Sequence, residues 1–181
     1  DLVSCEPRTL MLTQGLKPSK DVYLSIVKEL GLSKTDRSKV KIYTLASMYS
    51  KDHNTSGNKL KKEITKYFNL KSFKSNLIDS MDDGIIYNKF GRPIVVKEKE
   101  INNVINYYIQ STSADASLMC FSKILKNYDI IPCYIIHDEL ICEASDEVVK
   151  DLRSQKSIDI LGLGNYYYDV KIINKKGLIW V

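Results

Sequence analysis

Apolar residues in the first half of the chain recur every three or four positions, a spacing typical of helices that bury one face. From Asp21 to Leu30, for example, the apolar residues form one stripe, and Gly31 then ends the pattern. The spacing predicts five helices in this half, over residues 5–12, 21–30, 36–48, 59–68 and 73–81. A polar loop is predicted from Ser50 to Asn58.

The second half of the chain mixes short apolar runs with one long helical pattern. The runs at 85–87 and 94–96 flank a polar segment and predict a β-hairpin, and so do the runs at 133–136 and 140–142. The other predicted elements are helices over 101–126 and 146–153 and a strand over 166–173. Together these patterns predict an α+β fold with strands clustered towards the C-terminal end.

Three polar residues, His137, Asp138 and Glu139, form the turn of the second hairpin, and the apolar runs beside them predict buried flanks. Buried flanks would hold the turn rigidly and aim its carboxylate. Such a carboxylate suits Mg²⁺, a hard ion that takes oxygen ligands and keeps several waters. An ordinary polar turn would have the same residues, so both interpretations are open at this point.

Cationic residues lie one turn apart on the helix over 36–48. Arg37 and Lys41 are followed at the same interval by Leu45 and Tyr49, so the four side chains form one stripe. Arg can bind phosphate oxygens bidentately, and Lys acts as a point charge. The stripe could hold a triphosphate and then a nucleoside, or it could be a basic surface.

Two further polar groups also have two interpretations each. Lys59, Lys62 and Lys66 share one face of the helix over 59–68, where they would be solvated or would contact a phosphate backbone. Asn106 and Gln110 lie one turn apart on the long helix, beside small residues. Their amides could contact a base edge or satisfy neighbouring backbone groups.

Composition narrows the class of protein only modestly. With 181 residues, 44% of them hydrophobic, the chain can bury one substantial core, and its charge of +5 suits nucleic acid but also ordinary enzymes. The four cysteines have no CxxC spacing, which favours buried thiols in a reducing, cytoplasmic setting. Because no apolar run approaches the roughly 20 residues of a membrane span, no membrane partner is expected.

Five segments, in order, resemble motifs of the family A DNA polymerases, the group of DNA polymerase I and bacteriophage replicases. Residues 1–8 (DLVSCEPR) are similar to the first motif, DYSQIELR, and residues 37–50 to the fingers-helix motif. Residues 84–93 (GIIYNKFGRP) resemble the hairpin GYVxTxxGRR. Residues 106–115 (NYYIQSTSAD) resemble NxPIQGTAAD, and residues 136–139 (IHDE) resemble the VHDE turn.

The resemblance implies the C-terminal fingers and palm portion of such an enzyme, with an antiparallel palm sheet and helical fingers. Residues 1–16 would be the first palm segment, 17–100 the fingers with their β-hairpin, and 101–181 the rest of the palm. The family's thumb, exonuclease domain and first palm strands precede the first motif. Since Asp1 opens directly on that motif, we expect a split, spliced or truncated enzyme whose second chain carries thumb and exonuclease.

The resemblance also implies DNA-directed DNA synthesis with two Mg²⁺ ions. Asp1 and Asp138 would hold the ions, with the backbone carbonyl of Leu2 as a further ligand. Arg37 and Lys41 would bind the triphosphate of the incoming dNTP. Lys41 would also protonate the departing pyrophosphate.

Other positions would contact the sugar, the base pair or the primer–template DNA. Glu6 would be the steric gate against a ribose 2′-hydroxyl, while Leu45 and Tyr49 would lie beside the incoming sugar and the nascent pair. The minor groove carries acceptors common to all base pairs, so contacts there test pairing geometry. His137 would contact the primer end, while Asn106 and Gln110 would contact the minor groove.

Five positions depart from the family motifs. Leu45 stands where the family has Phe or Tyr, Ser4 where Gln is usual, and Pro7 inside a normally helical segment. Ser50 and Ser111 replace glycines, which could stiffen or crowd the backbone. These departures motivate the alternative hypothesis, a catalytically degenerate remnant that binds nucleic acid or a replication partner. If a bacteriophage encodes it, the protein would act in the host-cell cytoplasm.

Overall fold

The computed structural model describes residues 1–49, 58–174 and 177–179, which form an α+β fold. The α-helices are α1 (Cys5–Thr13), α2 (Val22–Glu29), α3 (Arg37–Met48), α4 (Lys59–Tyr67), α5 (Leu70–Asp79), α6 (Val104–Asn127) and α7 (Asp146–Gln155). The strands are β1 (Ile85–Tyr87), β2 (Pro93–Val95), β3 (Ile130–Ile136), β4 (Glu139–Ala144), β5 (Ser157–Ile160), β6 (Gly164–Tyr167), β7 (Ile172–Asn174) and β8 (Gly177–Ile179). Each strand pairs antiparallel with its neighbour in sequence, as β1–β2, β3–β4, β5–β6 and β7–β8.

The chain divides into two compact units. We call Glu6–Thr112 the central unit, and Asp1–Cys5 together with Ser113–Val181 the terminal unit. The central unit is strongly basic, because it has 19 Lys and Arg residues against 11 Asp and Glu. The terminal unit has 8 Lys and Arg against 11 Asp and Glu, so the positive charge of the chain is concentrated in the central unit.

The central unit has an apolar core to which each of its helices contributes one face. The core residues without exposed surface are Leu10, Val22, Ile26, Val40, Ile64, Leu70, Val104 and Ile109. Polar side chains fix where two of the helices begin. Asp21 caps α2 by accepting a hydrogen bond from the N–H of Leu24 (3.1 Å), and Asn58 caps α4 through the N–H of Lys61 (3.0 Å).

Arg8, on α1, is a fully buried cation. Its guanidinium donates to the backbone carbonyls of Ser19 (2.7 Å) and Lys20 (2.6 Å), which satisfies part of its demand for acceptors. These bonds fasten the connection between α1 and α2 to α1. Pro7 lies beside Arg8 in the first turn of α1, where a missing N–H removes no intrahelical bond, so this departure is compatible with a helix.

Asn88 joins the β1–β2 hairpin to α6. It is almost completely buried, and its side-chain amide donates to the hydroxyl of Ser111 (2.9 Å). Its side-chain oxygen accepts from the N–H groups of Phe90 and Arg92, both at 2.9 Å. The hydroxyl at Ser111, where the resemblance leads one to expect glycine, is therefore an acceptor that positions the hairpin.

The terminal unit buries residues of α7 and of the β5–β6 pair, namely Leu152, Ile158, Ile160 and Tyr166. The hydroxyl of Tyr168 donates to the carbonyl of Leu152 (2.9 Å), and burial raises the pKa of Tyr168 to about 12. The ammonium of Lys123 on α6 donates to the carbonyl of Asp159 (2.6 Å). These bonds tie both α7 and α6 to the β5–β6 region.

Most of the predicted helices are confirmed to within two residues, namely those over 5–12, 21–30, 36–48, 59–68 and 146–153. The helix predicted over 73–81 begins earlier, at Leu70, directly after the left-handed Asn69 (φ 50°). The helix predicted over 101–126 starts at Val104, because Glu98–Asn103 is a 3₁₀ segment. No helix among the described residues is long and apolar enough to cross a membrane.

The strand predictions need two corrections. The single strand over 166–173 is wrong, because β6 ends at Tyr167 and β7 begins at Ile172. Between them Tyr168 pairs with Leu2 in an isolated bridge, a long-range contact that alternation of apolar residues cannot reveal. Strands β5 and β8 were not predicted. Of the polar loop from Ser50 to Asn58, only Asn58 lies within the described residues.

We expect Asn88→Ala to lower the free energy of unfolding by about 2–3 kcal/mol, since it removes three hydrogen bonds in a buried setting. Ser111→Ala removes one partner and should cost about 1 kcal/mol. Urea denaturation followed by circular dichroism measures both values. Equal, negligible losses would show that Asn88 does not hold the hairpin.

The four cysteines should differ sharply in reactivity. Cys133 is exposed, at the irregular step in β3, whereas Cys5 and Cys120 are buried and burial raises the pKa of Cys120 to about 12. Because the thiolate is the reactive form, iodoacetamide at pH 8 should label Cys133 first and Cys120 only after unfolding. Peptide mass spectrometry with and without guanidinium measures this order, and Cys133→Ser should remove the fast phase. Rapid labelling of Cys120 in the folded chain would contradict its burial.

Candidate functional site

Residues near opposite ends of the sequence meet in the terminal unit. The N–H of Leu2 donates to the carbonyl of Asp138 (2.9 Å), and the N–H of Val3 donates to the carbonyl of Tyr167 (2.8 Å). The N–H of Asp169 in turn donates to the carbonyl of Asp1 (2.9 Å). The first residues therefore lie between the β3–β4 turn and the end of β6, and this brings the backbones of Asp1 and Asp138 together.

The charges around Asp1 show that several carboxylates share this region. Burial, and after it Lys171, lowers the pKa of the α-amino group of Asp1, while Glu139, Asp138 and Asp169 act in the opposite direction. The ammonium of Lys171 lies 2.5 Å from the Asp1 carboxylate, and about a quarter of one side chain and a third of the other are exposed (25% and 32%). The site is thus a group of carboxylates with a lysine already paired to one of them.

The side chains around Asp1 would suit Mg²⁺ only together with waters and substrate phosphates. Within the described residues, no three His, Cys, Asp or Glu side chains form a ready-made metal cluster. Mg²⁺ is commonly bound by one or two carboxylates together with waters and substrate phosphates. The hydrogen bond between Leu2 and Asp138 places the residues Asp1 and Asp138 close to each other, and both carry a carboxylate. The ammonium of Lys171 also shows that the Asp1 carboxylate accepts a cation.

The β3–β4 turn has the predicted form, but its flanks do not have the predicted burial. His137 and Asp138 make a two-residue turn, with Ile136 paired to Glu139. The prediction that both flanks are buried is wrong, because Tyr134 is 70% exposed and Ile136 is 48% exposed. Within the described residues, β3 and β4 form a two-stranded sheet, so no further strand pairs with either of them.

Backbone strain accompanies the turn. His137 has φ 53°, and so does Ser4, which follows the Asp1–Val3 segment. Non-glycine residues with positive φ are uncommon and persist only where surrounding contacts impose them. In the turn, the two-residue hairpin loop itself favours positive φ at its first residue, and the bond between Leu2 and Asp138 holds the backbone beside the exposed His137. The position of the Asp138 carboxylate is therefore set by backbone pairing.

The cationic stripe on α3 has the predicted geometry. Arg37, Lys41, Leu45 and Tyr49 are exposed or half-buried, next to a fully buried column that includes Val40. Each of the four side chains is thus at least partly accessible. Lys41 is exposed.

Arg37 already has partners in the central unit. Its Nε donates to the Asp21 carboxylate (2.8 Å), and its guanidinium carbon lies 5.4 Å from the centre of the Tyr23 ring. Asp21 therefore both caps α2 and holds Arg37. A phosphate bound by Arg37 would share the guanidinium with Asp21 or displace it.

The remaining predicted residues of the central unit lie on α1 and α6. Glu6 is half-buried in the first turn of α1, and Gln110 is exposed on α6. The side-chain oxygen of Asn106 is buried and has no hydrogen-bond partner. This oxygen therefore accepts from no neighbouring backbone N–H group, and the two interpretations of Asn106 both remain open.

The predicted residues thus fall into two groups. The terminal unit contains Asp1, Leu2, His137 and Asp138, and the structure brings these together. The central unit contains Glu6, Arg37, Lys41, Leu45, Tyr49, Asn106 and Gln110, on three helices. Ser50, one of the departures from the family motif, lies outside the described residues.

Sequence reasoning missed three residues that shape the sites. Lys171 and Asp169 contact Asp1 across almost the whole length of the sequence, and no local pattern signals such a pairing. Asp21 did carry a signal, since an acidic residue directly before an apolar helical pattern is typical of an N-cap. Its second role, as the partner of Arg37, follows only from the packing of α2 beside α3.

No protein-family model matches the chain, and no curated protein matches it significantly.

Proposed function

We propose that this chain carries the nucleotidyl-transfer site of a DNA-directed DNA polymerase of the family A type. The observation that supports this most directly is the hydrogen bond between Leu2 and Asp138, because it joins the two motifs that the resemblance pairs as metal-binding carboxylates. Under this proposal residues 1–16 and 101–181 are palm, and residues 17–100 are fingers.

The proposed chemistry rests on a small set of side chains. Two Mg²⁺ ions, when bound, would lower the pKa of the primer 3′-hydroxyl and stabilise charge on the attacked phosphate. Asp1 and Asp138 would hold them, with the Leu2 carbonyl as a further ligand. Lys41, exposed on α3, would bind the triphosphate of the dNTP and donate a proton to the leaving pyrophosphate. Arg37 would add a bidentate contact to the same phosphates.

The distribution of charge supports the same assignment. The basic central unit, with 19 Lys and Arg against 11 Asp and Glu, suits phosphates of a nucleotide and of a DNA backbone. The terminal unit, with its group of carboxylates, suits divalent cations. Glu6, Leu45 and Tyr49 would contact the sugar and nascent pair, and His137, Asn106 and Gln110 would contact the primer–template.

One observation favours the alternative function, a remnant that binds nucleic acid without catalysis. Both Asp1 and Arg37 are held by oppositely charged residues of the chain itself, Lys171 and Asp21. With Leu45 in place of an aromatic residue, the site would bind a nucleotide weakly. The basic central unit would still bind the DNA backbone, so DNA binding alone does not separate the two functions.

We expect Asp138→Asn to lower templated primer extension by about 100-fold or more, because loss of a metal ligand removes several kcal/mol of transition-state stabilisation. Extension is measured with Mg²⁺ and labelled dNTPs, for the chain alone and with the thumb and exonuclease polypeptide that the resemblance implies. Glu143→Gln, an exposed carboxylate on the same hairpin, is the matched control and should have no effect.

Two outcomes would contradict the catalytic proposal. One is the absence of templated extension in every combination, with primer–template binding retained, which would support the binding remnant. The other is unchanged extension by Asp138→Asn, which would show that this carboxylate holds no essential metal. Robust extension by the chain alone would instead refute the expected need for a second polypeptide.

The exposed lysine face of α4 provides a separate test of DNA contact. Lys59, Lys62 and Lys66 are all exposed, as their spacing predicts. If each lysine neutralises one phosphate, charge reversal at all three should make the slope less negative by about 2 for single-stranded DNA. The slope is that of the logarithm of the binding constant K against the logarithm of the salt concentration. Fluorescence anisotropy over a salt series measures the slope.

The matched control reverses three other exposed lysines of the central unit, at positions 17, 28 and 34. It changes the net charge by the same amount and should leave the slope nearly unchanged. An equal effect of both triple variants would mean that the lysine face of α4 is simply solvated.

A further inference from the structure

The ammonium of Lys171 is paired with the carboxylate of Asp1, to which the proposed function assigns a divalent cation. We propose that Lys171 is a built-in competitor of the metal, which neutralises Asp1 until a divalent cation displaces its ammonium. This inference rests on the proposed function, because it assigns Asp1 as a metal ligand. It adds a residue that lies outside all five motifs.

The geometry of the pair supports competition at one oxygen. The ammonium of Lys171 lies 2.5 Å from Oδ2 of Asp1, a direct ion pair. A protonated lysine carries a full positive charge, so it competes with a metal for the negative charge of the Asp1 carboxylate. The two cations would also repel each other, so binding of one opposes binding of the other.

The backbone allows this exchange without disturbing the site. Asp1 stays in place through the bond from the N–H of Asp169 to its carbonyl, and Leu2 through its bond to Asp138. Lys171 lies in the segment between β6 and β7, and a quarter of its side chain is exposed. Its ammonium can therefore move to solvent by rotation of a flexible stem, while the backbone around Asp1 keeps its hydrogen bonds.

The side chain of Lys171 also explains why Asp1 tolerates a position beside other carboxylates. Glu139, Asp138 and Asp169 all act on the amino end of Asp1, so this region is rich in negative charge. An ammonium within it offsets repulsion among the carboxylates when no metal is bound. The same ammonium weakens metal binding, because its ion pair with Asp1 must be broken whenever a metal binds.

The test measures Mn²⁺ binding by electron paramagnetic resonance and by titration calorimetry. We expect Lys171→Met, which keeps the length of the side chain but removes its charge, to bind Mn²⁺ about five- to tenfold more tightly than the unaltered chain. Lys171→Arg keeps the charge and should stay within about twofold of the unaltered chain. Lys150→Met, at an exposed lysine of α7, is the control for loss of one charge in the terminal unit.

A thermal measurement checks the same exchange and reveals any folding defect. Without metal, Lys171→Met should melt at a lower temperature than the unaltered chain, since it loses an ion pair amid carboxylates. Saturating Mn²⁺ should raise its melting temperature by more than it raises that of the unaltered chain. Circular dichroism at low temperature shows whether the variant is folded.

The outcomes separate this inference from the proposed function. Equal Mn²⁺ affinities of the unaltered chain and Lys171→Met, both abolished by Asp138→Asn, would overturn the competition and leave the metal site intact. Weaker binding by Lys171→Met would also overturn it, because Lys171 would then support the metal. Failure of either protein to bind Mn²⁺ through Asp138 would instead refute the metal-binding role on which the proposed function depends.

Discussion

The backbone hydrogen bond from Leu2 to Asp138 is the contact on which the candidate site depends. It joins the first residues of the chain to a turn near its other end, and the neighbouring bonds of Asp1 and Val3 to the β6 end hold the segment from its other side. Without this pairing, the two carboxylates would belong to separate parts of the chain. A site of this kind is a property of long-range topology, so it is more sensitive to changes in Asp1–Val3 and residues 167–169 than to changes on the exposed faces of β3.

This arrangement also explains how the turn stays ordered although β3 is exposed. Burial was expected to hold the turn, but Tyr134 and Ile136 have large exposed fractions, and the pair β3–β4 has no third strand among the described residues. The hydrogen bond from Leu2 to Asp138 holds the turn in place of a packed layer, and the two-residue loop favours the positive φ of His137. In the central unit the corresponding constraint is Arg8, whose buried guanidinium fixes the connection leading to Asp21, and Asp21 in turn holds Arg37.

The sequence predicted elements well wherever local patterns decide the structure. The helices of the central unit follow from apolar spacing, and the exposed lysine face of α4 follows from the same periodicity. The stripe of Arg37, Lys41, Leu45 and Tyr49 was predicted for the same reason, since residues four apart share a helix face.

Prediction failed where distant segments meet. The break between β6 and β7 follows from the pairing of Tyr168 with Leu2, and the partner of Asp1 is Lys171, which no local pattern indicates. The exposure of β3 could not be predicted either, because an apolar run shows that a strand is suited to burial but does not supply the covering layer.

In the proposed chemistry, the affinity for a ligand depends on ion pairs that Asp1 and Arg37 form within the chain. Asp1 is paired with Lys171, and Arg37 is paired with Asp21, so each site is neutralised by the chain itself before any ligand binds. Binding of a cation at Asp1 or of a phosphate at Arg37 is then an exchange of partners, and its free energy is the difference between two ion pairs. At each site a ligand therefore binds only if its interaction with Asp1 or Arg37 is stronger than that of the internal partner, Lys171 or Asp21. Each internal pair thus sets a threshold at its own site. Lys41 is exposed on the same stripe as Arg37, so a phosphate can reach its ammonium directly.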